Sequence, residues 1–272
     1  CSRNVNYRPK AHPEIWQEFC DFTHDQIEEL CTGYGPVDIL WLDGAWVAPE
    51  NRDQDINMDR IAATARRHQP GMIIVDRWIG GPYENYRTPE QRIPEEPWEY
   101  PWETCMPMAG AWSYYIGDTY KPARQLIHML VDVVAKGGNL LLNAGADGSG
   151  RFDPNVVPPM LGLGEWLSVN GDAIYGTRPV PPYKEGKTCF TRRRDDGAVY
   201  AIYLPDEGET LPRTFQLDGV QPEPGEAVRL LGCAEPLRWE AVGQGVRVDI
   251  PESAIASPPC EHAWALRLGR VR

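Results

Sequence analysis

The 272-residue chain has no apolar run approaching the ~20 residues of a membrane-crossing helix, so no membrane span is expected. Basic residues are in deficit. The 27 Lys and Arg face 39 Asp and Glu, a net charge of −12, which argues against nucleic acid or an anionic membrane surface as partner. The seven cysteines form no close pair of the kind that binds zinc or marks a redox motif, and read as scattered thiols. Also missing are a Gly-x-Ser-x-Gly elbow, a Walker-type phosphate loop and a His-Glu-x-x-His pair. The five histidines are dispersed, and His24 and His128, on predicted helices, read as structural. Asp147-Gly148-Ser149-Gly150 looks like part of a calcium loop, but the later acidic positions do not follow, so it reads as a turn. With neither an initiator Met nor an apolar signal segment at Cys1-Ser2-Arg3-Asn4, the true start is expected to lie upstream.

What remains is ordinary globular material, 42% hydrophobic and 24% charged, long enough to bury a core. Ten Trp stand out, and six of them (Trp41, Trp46, Trp78, Trp98, Trp102, Trp112) fall in a stretch centred on loops, where flat apolar rings suggest a sugar site.

The first part of the chain alternates helical and strand patterns. Apolar residues spaced by three to five from His12 to Tyr34 predict a helix with Pro13 in its first turn. Asp38 to Leu42 and Gly71 to Val75 read as strands buried on both faces, with a helix over Asp55 to His68 between them. Trp78 to Gly110 is rich in Pro, Glu and aromatics without period, a long connection of the functional kind. A strand over Ala111 to Ile116, a helix over Pro122 to Ala135, a strand over Asn139 to Asn143 and a helix over Asn155 to Asn170 follow. The class is therefore α/β, with about four of the eight strands of a closed barrel; the front half is expected to be absent. After residue 175 the period becomes two, with a hairpin signal at Asp195-Asp196-Gly197 and alternation over Val246 to Ile250 and Trp264 to Leu268. This predicts residues 1–175 as the rear part of a barrel and 176–272 as an antiparallel β-sandwich.

Asp43 is the leading candidate for chemistry. It ends a buried strand, before Gly44 and Trp46, where barrel enzymes hold reactive groups; the plainer reading is an Asp-Gly turn. Asp76-Arg77-Trp78 repeats that placement one strand later, with a structural ion pair as its plainer reading. The connector adds Glu84, Glu90, Glu95, Glu96, Glu99 and Glu103, of which one would be catalytic and the rest solvated. Two carboxylates flanking an anomeric carbon hydrolyse glycosides: one attacks, the other donates and then accepts the proton. The proton donor should lie against apolar surface that disfavours its charge, a setting that a Trp- and Tyr-rich loop supplies.

At this point the motifs become recognisable. Tyr34-Gly35-Pro36-Val37-Asp38-Ile39-Leu40-Trp41-Leu42-Asp43-Gly44 resembles the nucleophile strand of the α-L-fucosidases of glycoside hydrolase family 29. Arg3 to Tyr7, His12-Pro13 to Phe22, Thr88-Pro89-Glu90-Gln91, Trp102-Glu103-Thr104-Cys105, Gly137 to Asn143 and Gly171 to Thr177 resemble that family in the same order. The resemblance implies a (β/α)8-like barrel with a C-terminal β-sandwich, and removal of terminal α-L-fucose with retention and without a cofactor or metal. It implies Asp43 as nucleophile and Glu90 as acid/base, with Glu103 as second choice. Arg77 would help arrange the carboxylates and Trp102 would face the sugar; Trp46, Arg77, Trp78 and Trp102 are the substrate-binding candidates. The partner implied is a fucosylated oligosaccharide or glycoconjugate.

The family's early sugar-binding strands precede the first motif present, so this chain is expected to be a rear portion, nearly inactive alone and poorly soluble along its open sheet edge. Members are often exported, which implies an extracellular or periplasmic setting. Two alternatives stand beside the fucosidase reading: a non-catalytic carbohydrate-binding or scaffold protein, and a barrel glycosidase for another sugar. Oligomeric state is not legible.

Overall fold

The computed structural model describes residues 9–43, 47, 53–77 and 79–272. The chain packs as two compact units, Cys1–Thr88 and Pro89–Arg272.

The first unit is built on a parallel strand pair, each strand preceded by a helix. Helix α1 (Pro13–Gly33) starts with proline at its first turn and buries Cys20, His24, Ile27 and Cys31, a stripe at helical spacing. Strand β1 (Ile39–Trp41) follows, then α2 (Met58–His68) and β2 (Ile73–Val75), with β1 and β2 in parallel register from Ile39 opposite Ile73 to Trp41 opposite Val75. Helix α2 begins three residues later than its apolar pattern suggests. The Asn57 side chain accepts from the Arg60 backbone N–H at 3.0 Å, and Asp55 accepts from the Asn57 N–H at 2.8 Å. His24 lies against the Ile56 carbonyl, its Nε2 2.7 Å away, the structural role expected of it.

The two strands are not buried on both faces as their apolar runs predicted. Leu40 and Ile74 are buried in the core with Ile61, Ala65 and Ile27, whereas the paired Ile39 and Ile73 lie open on the other side. A continuous apolar run fixes the strand, but a second cover must exist for both faces to be buried. Helix α1 is two-sided as well: Ile15, Phe19, Phe22 and Leu30 form a second, exposed apolar stripe.

The second unit opens with β3 (Trp102–Pro107), then α3 (Ala123–Ala135), β4 (Gly138–Asn143) and α4 (Val157–Asn170), with β3 and β4 again parallel. The expected strand over 111–116 is a loop. The Asp118 carboxylate gathers the backbone N–H groups of Gly110, Ala111 and Thr119, taking donors that a sheet would need. The strand lies earlier, at Trp102–Pro107, inside the stretch read as a long connection.

The rest is antiparallel. β5 (Thr177–Glu185), β6 (Thr188–Arg193), β7 (Val199–Tyr203), β12 (Trp264–Gly269) and β9 (Arg229–Leu230) make a five-stranded sheet in that order. β10 (Arg238–Val242), β11 (Gly245–Asp249) and β8 (Thr214–Leu217) make a three-stranded one. One core takes Phe190, Ala201 and Leu266 from the large sheet and Phe215, Leu217, Val246 and Val248 from the small one, so the sheets face each other as in a sandwich. The large sheet's other face meets the helices: Cys189, Tyr200, Ile202 and Ala265 pack with Ile127 and Val131 of α3 and Trp166 of α4. Strict alternation thus holds in β11, which exposes Arg247 and Asp249, and fails in β12, which is covered on both sides.

Candidate active site

Asp43 lies just beyond the carboxyl end of β1. The sheet carries on to Leu42, whose N–H donates to the Val75 carbonyl at 2.9 Å, so Asp43 leaves the ladder one residue after its last bond. Arg77 leaves β2 two residues after Val75, with φ at +33°, outside the usual range for a side-chain-bearing residue. The parallel register brings the two together. Arg77 Nη1 donates to Asp43 Oδ1 at 2.9 Å, Nε donates to the Thr88 hydroxyl at 3.2 Å, and the guanidinium lies 4.4 Å from the centre of the Trp41 ring. The pair is unequal. The arginine side chain is 3% exposed and the carboxylate 59%, so a buried, stacked cation presents a carboxylate to solvent. That is the posture of a group meant to meet something arriving from outside.

The ion pair at the strand ends is Arg77 with Asp43 rather than with its neighbour Asp76. Asp76 is fully buried, and neither of its oxygens has a hydrogen-bond partner among the described residues. Burial raises its pKa above the usual carboxylate range, and the negative Glu84 adds to this. The backbone N–H groups of Gly80 and Asp76 itself pull the other way from positions short of a formed bond.

Trp46 and Trp78 lie outside the described residues. Glu90 and Glu103 belong to the second unit. Glu90 is exposed and bridges to Cys105, midway along β3. Glu103, half-buried, pairs with Asn139 near the amino end of that strand. Trp102, expected to face a sugar, is instead fully buried: its ring fills the space beside Gly138, and its Nε1 donates to the Lys136 carbonyl at 3.3 Å. A large ring at the first residue of an inner strand is core before it is platform.

The Asp147 segment is the turn its sequence indicated. Its carboxylate accepts from the N–H groups of Ser149 and Arg151 and from the Ser149 hydroxyl, which lowers its pKa. Among the described residues no group of three or more His, Cys, Asp or Glu could hold a metal ion. Sequence reasoning missed Trp41 and Thr88 as the seat of Arg77. Both stand in quoted motifs, but only the fold makes them neighbours.

A family profile described as Alpha-L-fucosidase matches residues 2–172, and one described as Alpha-L-fucosidase C-terminal domain matches residues 184–269. The chain is 32% identical over 269 residues to an Alpha-L-fucosidase of Branchiostoma floridae, covering 92% of this chain and 58% of that protein. It is 31% identical over 268 residues to the Plasma alpha-L-fucosidase of Homo sapiens, covering 92% and 55%. Among solved structures, the Alpha-L-fucosidase isoenzyme 1 from Paenibacillus thiaminolyticus superposes with a TM-score of 0.78 at 25% identity, covering 94% of this chain and 63% of that one. The Thermotoga maritima alpha-fucosidase in complex with fucose superposes with a TM-score of 0.72 at 28% identity, covering 91% and 56%. The chain thus spans little more than half the length of these curated relatives.

Proposed function

The chain belongs to the alpha-L-fucosidase family, and from that membership we propose that the protein removes terminal α-L-fucose from glycans with retention of configuration. The observation that carries the reading is the Asp43–Arg77 pair: a solvent-facing carboxylate held at 2.9 Å by a buried guanidinium beyond the ends of two parallel strands. In this reading Asp43 attacks C1 of fucose while Glu90 gives its proton to the departing glycosidic oxygen, so one C–O bond forms as the other breaks. Water then adds to C1, Glu90 takes the water's proton, and the Asp43 carboxylate is released. Glu103 is the second choice for the acid. Trp46 and Trp78 are substrate-binding residues, and Arg77 orients the nucleophile through its grip on Asp43. Residues 1–175 carry this chemistry and 176–272 support it. The substrate is a fucosylated oligosaccharide or glycoconjugate, and no cofactor takes part.

Incubating the protein with 2-deoxy-2-fluoro-α-L-fucosyl fluoride and mapping the labelled peptide tests this. The adduct is expected on Asp43, and Asp43→Asn is expected to abolish both adduct and turnover of an aryl α-L-fucoside. An adduct on another residue would overturn the assignment. A non-catalytic binding protein would give no adduct in either form while still binding fucose.

A further inference from the structure

Three stretches set apart by the sequence converge on one place that the chemistry above does not use. Trp102 at the start of β3, Gly138 and Asn139 at the start of β4, and Ile174 to Thr177 ahead of β5 together border a cavity of about 580 Å³ within the second unit. It lies at the amino ends of β3 and β4. The five steps of ~3.3 Å along each six-residue strand separate those ends from the carboxyl ends by roughly 17 Å, and barrel chemistry belongs to the carboxyl ends.

The lining has two characters. Trp98, set edge-on to Trp102 with centroids 5.9 Å apart, contributes one aromatic wall, beside Tyr100 and Tyr175. Tyr175 is 63% exposed, and its ring edge rests over the backbone of Gly171, close enough that any side chain at 171 would lift it. With one edge held there and most of the ring open to solvent, Tyr175 offers an exposed apolar surface. Around it stand hydrogen-bonding groups: the exposed Asn139 amide, which has no bond among the described residues, and the Arg178 guanidinium, whose Nη1 donates to the Thr177 carbonyl at 2.7 Å. Aromatic faces beside amide and guanidinium donors match a pyranose, which is apolar across its axial C–H face and polar around its rim. Volume agrees, since pockets for small organic ligands run from about 300 to 1,000 Å³.

We propose that this cleft is a second saccharide-binding site, which holds a neutral oligosaccharide segment stacked on Tyr175, with Asn139 and Arg178 bonding its hydroxyls. It goes beyond the reading of Asp43 and can fail or succeed without it, because the probes below contain no fucose.

Saturation-transfer NMR on the 272-residue protein with lactose and with N-acetyllactosamine tests it. Transfer to sugar C–H protons is expected, with binding about tenfold weaker in Tyr175→Ala and little changed in Tyr175→Phe, which keeps the ring. Asn139→Ala, at an exposed position, is expected to weaken binding several-fold and serves as a second reading if the Tyr175→Ala melting curve shifts. No transfer to either disaccharide, or binding equal to wild type in both Tyr175→Ala and Asn139→Ala, would overturn the proposal.

Discussion

The unequal burial of Arg77 and Asp43 predicts unequal consequences for removing them. Arg77→Ala deletes a buried cation over Trp41, worth about 2 kcal/mol when desolvated. It also deletes a charged hydrogen bond to the buried Thr88, worth about 1.5–3 kcal/mol. The bond to Asp43 adds less than 1 kcal/mol, because that carboxylate is 59% exposed and water screens it. The expected loss is about 3.5–6 kcal/mol. Asp43→Ala leaves the guanidinium its Thr88 and Trp41 contacts and should cost only about 1–2 kcal/mol; Asp43→Asn, which keeps an acceptor oxygen, should cost less still. Urea unfolding followed by tryptophan fluorescence measures all three, and the double mutant gives a coupling near 1 kcal/mol or below that shrinks in 1 M salt. If Asp43→Ala costs as much as Arg77→Ala, the carboxylate is a structural member of the pair, and its presentation to an incoming ligand is refuted.

Further outcomes follow from other sites. Asp76 gains a proton more readily folded than unfolded, so its contribution is fully present at low pH and is lost as pH rises from the ordinary carboxylate value through its raised one. Asp76→Asn should flatten that slope and stabilise the protein by about 1–2 kcal/mol at neutral pH, read from melting curves across pH 3 to 8; an unchanged slope would count against a buried carboxyl there. Gly138→Ala places a methyl inside the Trp102 ring and should destabilise the second unit by about 1–3 kcal/mol in urea titration, whereas an unaltered midpoint would show that the ring can move aside. The double substitution Phe22→Glu and Leu30→Glu, at exposed positions of α1, should leave stability within about 0.5 kcal/mol in urea titration, and a larger loss would show that the stripe is packed.

Helices α1 to α3 were legible because each buries apolar residues that recur at helical spacing, and β1, β2 and β4 because their apolar runs are short and end in polar residues. β3 was not, because Trp102-Glu103-Thr104-Cys105-Met106-Pro107 carries polar residues at buried positions. Thr104 is tolerated there by donating its hydroxyl to the Arg92 carbonyl at 2.9 Å, a partner no local pattern announces. The reverse error at 111–116 has the same root, since the Asp118 side chain that claims those backbone donors lies beyond the segment itself. Asp43 and Arg77 were singled out by their place after strands. Their contact, and the seat made by Trp41 and Thr88, depend on a parallel register that sequence does not state. Trp102 misled because a tryptophan in a sugar-linked motif resembles a platform, while its burial was set by an opposing glycine.

A carboxyl that holds its proton inside the protein vibrates as a free C=O double bond, apart from the bands of ionised acids and of the backbone amides. Burial raises the pKa of Asp76, so an infrared titration is expected to show its C=O band persisting above the pH at which solvent-facing acids ionise. Because it directly precedes Arg77 in the chain, that band should move when a molecule settles against Asp43, reporting occupancy with no dye attached.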